Sequence, residues 1–452
     1  MFRAMKERKA SELRETFRIS ITEGVFSQVY TNLAGPGSVF LTKLLVMLGA
    51  SSLQFGLLSA IGQLSQVLQP VGALVTRKLI LHRKSTVMWA GAGRALTPLL
   101  GVIPLLFSRS VSLTAVLVVY ALSTAVLSVS TNIWMGWIAR MVPLRIRGRF
   151  FAKRNTVLLS FGLTTAFLMG LLLDGFKNDP GALRLVMTGI FLVAGIIGIA
   201  GLRILAKQPE KPVELAGIQP VKMLTEPFHD ANFRRLCLFG VWWMLAVGIG
   251  APFWQPFMIG VLKMGVTHIL LYGMTSTIGS ILTLKYWGRL IDRYGNIMAM
   301  KFAICIGTVV PLIWLFVTPD SLWVIYAESV VSGSMWGCVG IVTANLVLAV
   351  APDKKVQTYS GVYGACCGAG MMVTMLASGI FMPAPMHIAG ISLHPMQVLF
   401  LITAFARLSA LIPLSRVNEP NAVPITAVLE SLRFWSKVQF LNLRVTLSRE
   451  KK

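Results

Sequence analysis

Long apolar runs separated by short polar, basic stretches make up almost the whole chain. Twelve runs are long enough to cross a hydrocarbon core about 30 Å thick, which takes roughly 17–25 helical residues. In chain order they cover residues 20–46, 52–76, 86–107, 112–140, 155–175, 184–206, 233–261, 267–288, 297–318, 321–350, 358–382 and 394–416, here segments 1 to 12. Each is continuous rather than alternating, so the pattern predicts helices and not the short dyad-patterned strands of a membrane barrel. The chain is expected to be an all-α polytopic membrane protein. Residues 1–19 read as a basic arm, and the Pro-rich residues 207–232 as a connector between bundles at 20–206 and 233–416. Residues 417–452 form a basic tail in which Val428, Leu432, Trp435, Val438, Leu441 and Val445 recur at three and four residues, with Arg433, Lys437 and Arg444 off that stripe. Such a helix lies on the anionic inner leaflet of the bilayer, or binds a partner.

Only 13% of residues are charged, against about 25% in a soluble domain, so the chain lacks the polar surface to stay in water. The net charge of +25 would suit a nucleic-acid binder, but its placement excludes that reading. Of the 42 Lys and Arg, 34 lie in the arm, the tail and alternate loops, and only Lys43, Arg109, Lys177, Arg184 and Lys263 lie on the opposite face. That asymmetry puts both termini and the connector in the cytoplasm, in a cytoplasmic (inner) membrane. The N-terminus has no short apolar core ahead of a small-residue site, so no cleaved signal peptide is expected. Five cysteines, Cys237, Cys305, Cys338, Cys366 and Cys367, fall in segments without CxxC spacing and read as buried, inert thiols.

The loop after segment 8, YWGRLIDRYGN, holds Gly288, Asp292, Arg293 and Gly295 between two apolar runs. A shift of 216 places sets Gly72 on Gly288, Thr76 on Asp292, Arg77 on Arg293, Gly24 on Gly240, Pro36 on Pro252 and Gly49 on Gly265, and Pro143 meets Pro352 at 209. One offset holding over so many Gly and Pro positions is an internal repeat. The loop resembles the GxxxDRxGxx motif of the major facilitator superfamily (MFS), and the basic stretch after segment 4 resembles that family's RxxRG-type loop. The resemblance covers the chain to about residue 416 and implies two homologous six-helix bundles with the substrate site at mid-depth between them. It also implies that segments 1, 4, 7 and 10 line the cavity, that 2, 5, 8 and 11 flank it, and that 3, 6, 9 and 12 support. By the same resemblance Asp292 caps the start of segment 5 near Arg154–Thr156, as a conformational latch formed with Gly288, Arg293 and Gly295 and mirrored weakly at Arg77.

No GxSxG, HExxH, P-loop or Gly-rich nucleotide fingerprint is present, and the five histidines are scattered. Neither an enzyme, a metal site nor a cofactor is expected. The substrate-binding candidates are Gln28, Asn32, Gln63, Gln66, Trp243, Trp254, Gln255, Glu328, Ser332, Trp336 and Tyr363. The amides could equally glue helices together, since every polar group in lipid needs a partner. Trp134 and Trp137, at the end of segment 4, suit an interfacial belt. Charges inside a span are costly and default to function. Glu328 has no basic residue at helical spacing and is the first proton-coupling candidate, with Glu23 second; Arg94 and Arg407 suit bonds within the bundle. The expectation is a monomeric secondary transporter moving a small organic or amphipathic solute by rocking-bundle alternating access, coupled to protons through Glu328. The rivals are a facilitative uniporter and a non-transporting membrane scaffold acting through the tail.

Overall fold

A computed structural model describes residues 2–68, 81–210, 224–352, 355–388 and 391–419. The expectations for Arg77, for most of the connector and for the amphipathic tail fall outside them. Where described, all twelve runs fall on helix. Nine helices among the described residues, in segments 3–7 and 9–12, are long and apolar enough to cross a membrane. Segment 1 is split into Phe2–Ala34 and Val39–Met47, because Pro36 carries no N–H for the ladder and Gly37 takes φ +80°. Segment 2 starts as Ser52–Gly62 and Leu64–Val67 and leaves the described residues at 68. Segment 8, Val266–Tyr294, is a single helix diluted by Thr275, Ser276, Thr277 and Ser280. These three helices all make contacts between the halves.

Segments 1–6 pack on one another, as do 7–12; between the halves segment 2 packs on 11, segment 5 on 8, and Val39–Met47 on Trp254–Gly260. The buried apolar core has a polarity of its own. Toward the face away from the N-terminal arm one cluster runs through both halves, from Leu33, Phe40 and Phe191 to Phe253, Trp314 and Phe400. Toward the arm the clusters separate: Phe233, Trp287, Met300 and Leu346 stay within the second half, while Trp137, Leu202, Ile138 and Phe150 stay within the first. The halves are fused at one face and packed separately at the other.

The repeat is visible in bonding. After segment 6, Glu210 accepts from the N–H groups of His82 and Arg83 at the start of segment 3. After segment 12, Glu419 accepts from Asn296 N (2.8 Å) and Ile297 N (2.8 Å) at the start of segment 9. The two glutamates are 209 places apart, and both set a carboxylate on a helix N-terminus, where free N–H groups and the helix dipole favour it.

Two local expectations change. Cys305 is exposed on the outside of its helix and Cys366 only half-buried, because a helix touching lipid on one side cannot bury every residue. Trp137 is buried, with its indole N–H donating to Pro209 O at 3.1 Å, so it ties segment 4 to the connector rather than sitting in a belt. Trp134 lies 4.6 Å beneath the Arg154 guanidinium.

Candidate functional site

A cavity of about 790 Å³ lies between the halves, under the fused apolar face. Its rings are Tyr120, Trp254, Tyr272, Trp314 and Trp336, and its hydrogen-bonding groups include Thr42, Gln63, Gln66, Gln255 and Ser332. Arg407 is its one charged lining residue, and no carboxylate lines it among the described residues. Trp254 is held flat against Phe400 (centroids 3.8 Å, 5° between planes) and edge-on to Trp314. Gln255 is held across the halves, accepting from Thr42 Oγ1 (2.6 Å) and donating to Gly37 O (3.1 Å). Gln63 Oε1 is buried with no partner, so it offers an unused acceptor.

Six expected residues, Gln63, Gln66, Trp254, Gln255, Ser332 and Trp336, thus meet around one space. Gln28 and Asn32 do not: Gln28 Nε2 donates to Asn32 Oδ1 (2.9 Å), and both pack on Gly162 of segment 5, on a different face of segment 1. Trp243 is buried behind the wall, edge-on to Trp336 (6.3 Å). Tyr363 lines a second groove of about 540 Å³, on the arm side between segments 7, 10 and 11, which shares Trp336 with the central cavity.

Two buried arginines repeat one arrangement with the helices exchanged. Arg94 of segment 3 donates to Gly198 O of segment 6 (2.7 Å), to Ser27 Oγ (2.9 Å) and to Glu23 Oε1 (3.1 Å), with its guanidinium 5.5 Å from the Tyr30 ring. Arg407 of segment 12 donates to Gly307 O of segment 9 (2.9 Å) and lies 5.9 Å from the Trp243 ring. At the 209 offset Arg407 falls on Gly198. The carboxylates differ. Glu23 is paired, whereas Glu328 is 2% exposed with neither oxygen in a hydrogen bond of normal geometry. Tyr272, Trp314 and Ser332 face the Glu328 carboxyl without closing such a bond, and Arg407 lies within its electrostatic reach. Arg407 escaped notice as a cavity residue because it was assigned to a supporting helix; the repeat offset was the signal that could have found it.

At the fused face a carboxylate crosses from one half to the other. Asp174, ending segment 5, accepts from Val266 N (2.9 Å) and Thr267 N (2.8 Å) at the start of segment 8. The N-cap position there is Gly265, which makes no side-chain cap of its own. A Cβ on Gly265 would stand 2.6 Å from Asp174 Oδ2, so only glycine leaves the carboxylate room. Segment 2 needs no such help, since Ser51 and Gln54 close a capping box within it. Lys43 lies within electrostatic reach of Asp174 and complements it.

The family model of the Major Facilitator Superfamily matches residues 26–375. The chain belongs to this superfamily. No curated protein matches it, but many solved structures do. A mutant of the nucleoside transporter NupG superposes with a TM-score of 0.67 at 13% identity, over 90% of this chain and 100% of that one. The D-xylose–proton symporter gives 0.65 at 12% identity, over 90% and 98%. A bacterial homologue of the iron transporter ferroportin, in an inward-facing state, gives 0.63 at 12%, over 90% and 98%. At these identities the likeness is one of fold.

In this MFS chain the loop motif closes segment 8. Gly295 takes φ +88°, a left-handed turn that glycine adopts without strain, and the next residue begins segment 9. Arg293 lies over Tyr294 (5.1 Å) and Gly288 faces open space. Asp292 is exposed and makes no hydrogen bond or ion pair among the described residues. The helix of segment 5 already begins at Leu144, so Arg154–Thr156 lie inside it and their N–H groups are used in the helix ladder rather than offered to Asp292; Arg154 Nε donates to Ser20 O (3.2 Å).

Proposed function

We propose that this chain is a secondary transporter, not an enzyme, carrying a small organic or amphipathic solute by rocking its two halves about the central cavity. The conformation described is the one open toward the N-terminal arm. The observation that carries the reading is the core that is shared between halves at one face and divided at the other, with an aromatic and amide-lined cavity beneath the shared part. A groove continuing from Trp336 toward the arm supplies the path. The apolar runs support twelve crossings, and the charge asymmetry supports cytoplasmic termini in a cytoplasmic membrane. The solute is largely uncharged: the rings offer stacking faces, the amides and Ser332 offer hydrogen bonds, and the single lining cation is compensated by Glu328 behind it.

A thermal-shift screen of the purified protein tests this, because a ligand of the folded state stabilises it in proportion to log concentration over Kd. Planar polar solutes should give the hits. Trp336→Ala should then weaken a hit about tenfold, the loss of one aromatic contact and its area. Equal binding to Trp336→Ala would move the site elsewhere.

Glu328 is the coupling group in this reading: a buried carboxyl with both oxygens unspent can take up and release a proton as its surroundings alternate. Glu328→Gln keeps the shape and cannot titrate. The variant should lose gradient-driven accumulation and keep exchange of solute down its own gradient. Loss of both would make Glu328 part of the solute site, and loss of neither would make it a helix-packing acid with coupling elsewhere; a protein whose flux ignores the proton gradient from the start would be a uniporter.

A further inference from the structure

We infer that the face away from the arm carries a binding site for an anionic phospholipid. It is a crevice of about 220 Å³ between segment 1, the turn joining segments 3 and 4, and the start of segment 6. Two arginines line it, Arg109 at the first residue of the segment 4 helix and Arg184 in the second turn of the segment 6 helix. Its walls are apolar, with Leu44, Met47, Leu48, Leu105, Phe107 and Met187.

Three observations point to a lipid. The charge is uncompensated: no Asp or Glu lines the crevice, and neither arginine is in an ion pair among the described residues. Nearby Asp179 is occupied, accepting from Gly181 N (2.9 Å) and Ala182 N (3.1 Å) to cap segment 6. The placement runs against the grain of the chain, since only five of its 42 Lys and Arg lie on this face and two of them meet here. An insertion signal gains nothing from cations at this end, whereas an arginine is a strong partner for a phosphate oxygen on either face of a membrane. Finally, the size and surroundings fit an amphiphile. The volume equals the share of about seven waters at roughly 30 Å³ each, room for a glycerophosphate and too little for two acyl chains. Those chains have a track beside it, because Leu105, Leu106, Phe107 and Leu185 are all exposed on the outside of the bundle. A free phosphate would use the arginines and leave these apolar walls idle.

The test uses full-length protein, stripped of lipid in neutral detergent, with phosphatidylglycerol, phosphatidylcholine and inorganic phosphate as separate probes. Melting and native mass spectrometry are the readouts. Phosphatidylglycerol should raise the melting temperature and remain bound in the gas phase as one tightly held copy. In R109Q/R184Q its half-saturating concentration should rise roughly thirtyfold, and in either single variant about fivefold, from the interaction of each cation with an anionic headgroup. R109K/R184K, which keeps the charges and loses the forks, should fall between the wild type and the double Gln variant. Both side chains are exposed, so the lipid-free melting temperature should hardly move; should the double variant not express, the single variants carry the same comparison. Equal stabilisation by phosphatidylcholine, unchanged binding in the Gln variants, or inorganic phosphate acting as well as the lipid would each overturn the inference, the last by making the crevice a plain anion site.

Discussion

Arg94→Gln should destabilise the fold by about 3–5 kcal/mol, the loss expected when one partner of a buried ion pair is removed. Glu23 is then left 4% exposed in the bundle without its cation, and Gly198 O and Ser27 lose their donor. The double variant Glu23→Gln/Arg94→Gln should recover a large part, because an uncharged amide in place of the carboxylate removes the stranded charge. Melting of the four proteins of this cycle in one detergent measures it. A double variant as unstable as Arg94→Gln would show that the Gly198 carbonyl, and not Glu23, is what Arg94 serves. The same cycle separates the two glutamates. Glu23 is locked into the first half by a closed pair, whereas no ion pair among the described residues holds Glu328, so Glu328 can change protonation without first breaking one.

Asp174→Asn should loosen the closed face. A carboxylate on a helix N-terminus in a partly buried setting contributes about 1–2 kcal/mol, so the ratio of open to closed at that face should rise roughly five- to thirtyfold. Asp292 carries the opposite sign. The helix of segment 5 begins at Leu144, so that terminus is the one Asp292 meets in the proposed arm-closed state, and Asp292→Asn removes the stabilisation and favours the arm-open conformation. The two carboxylates would then exchange roles: the end of segment 5 grips the start of segment 8 at one face, and the end of segment 8 grips the start of segment 5 at the other. Spin-label distances between Lys177→Cys and Asp320→Cys on one face, and between Arg203→Cys and Arg289→Cys on the other, report both. Longer Lys177–Asp320 distances are expected with Asp174→Asn only. Identical distance distributions in all three proteins would reduce both aspartates to surface residues.

The helical architecture, the repeat and the loop motif were legible because each depends on local pattern: run length, a fixed offset, a Gly that turns left-handed. What depends on one helix's rotation against another was not. Gln28 and Asn32 sit on a cavity-lining helix by assignment yet point at Gly162, and nothing in the spacing of segment 1 gives its phase relative to segment 5. Glu328 has no cation on its own helix, and Arg407 comes within its reach from segment 12, some 80 residues on, which helical spacing alone does not reveal. Asp174 went unremarked for a related reason: its partners are backbone N–H groups of the other half, which leave no trace in residue identity except the Gly at 265. The repeat could have given more than was drawn from it. The 209 offset that aligns Pro143 with Pro352 also aligns Glu210 with Glu419 and Gly198 with Arg407, and both coincidences proved to be bonds.

In the transporter we propose, the cavity opens toward the arm and is sealed at the opposite face, and Gln66 reports on this directly. It lines the cavity, is exposed within it and lies on a segment that contacts both halves. With the five native cysteines replaced, Gln66→Cys is placed in vesicles of each orientation and treated with a membrane-impermeant thiol reagent. Labelling is expected from the side that carries the N-terminus and not from the other, and it should fall when a solute that stabilises the protein is present. Labelling only from the side away from the N-terminus, or from neither side, would contradict the account.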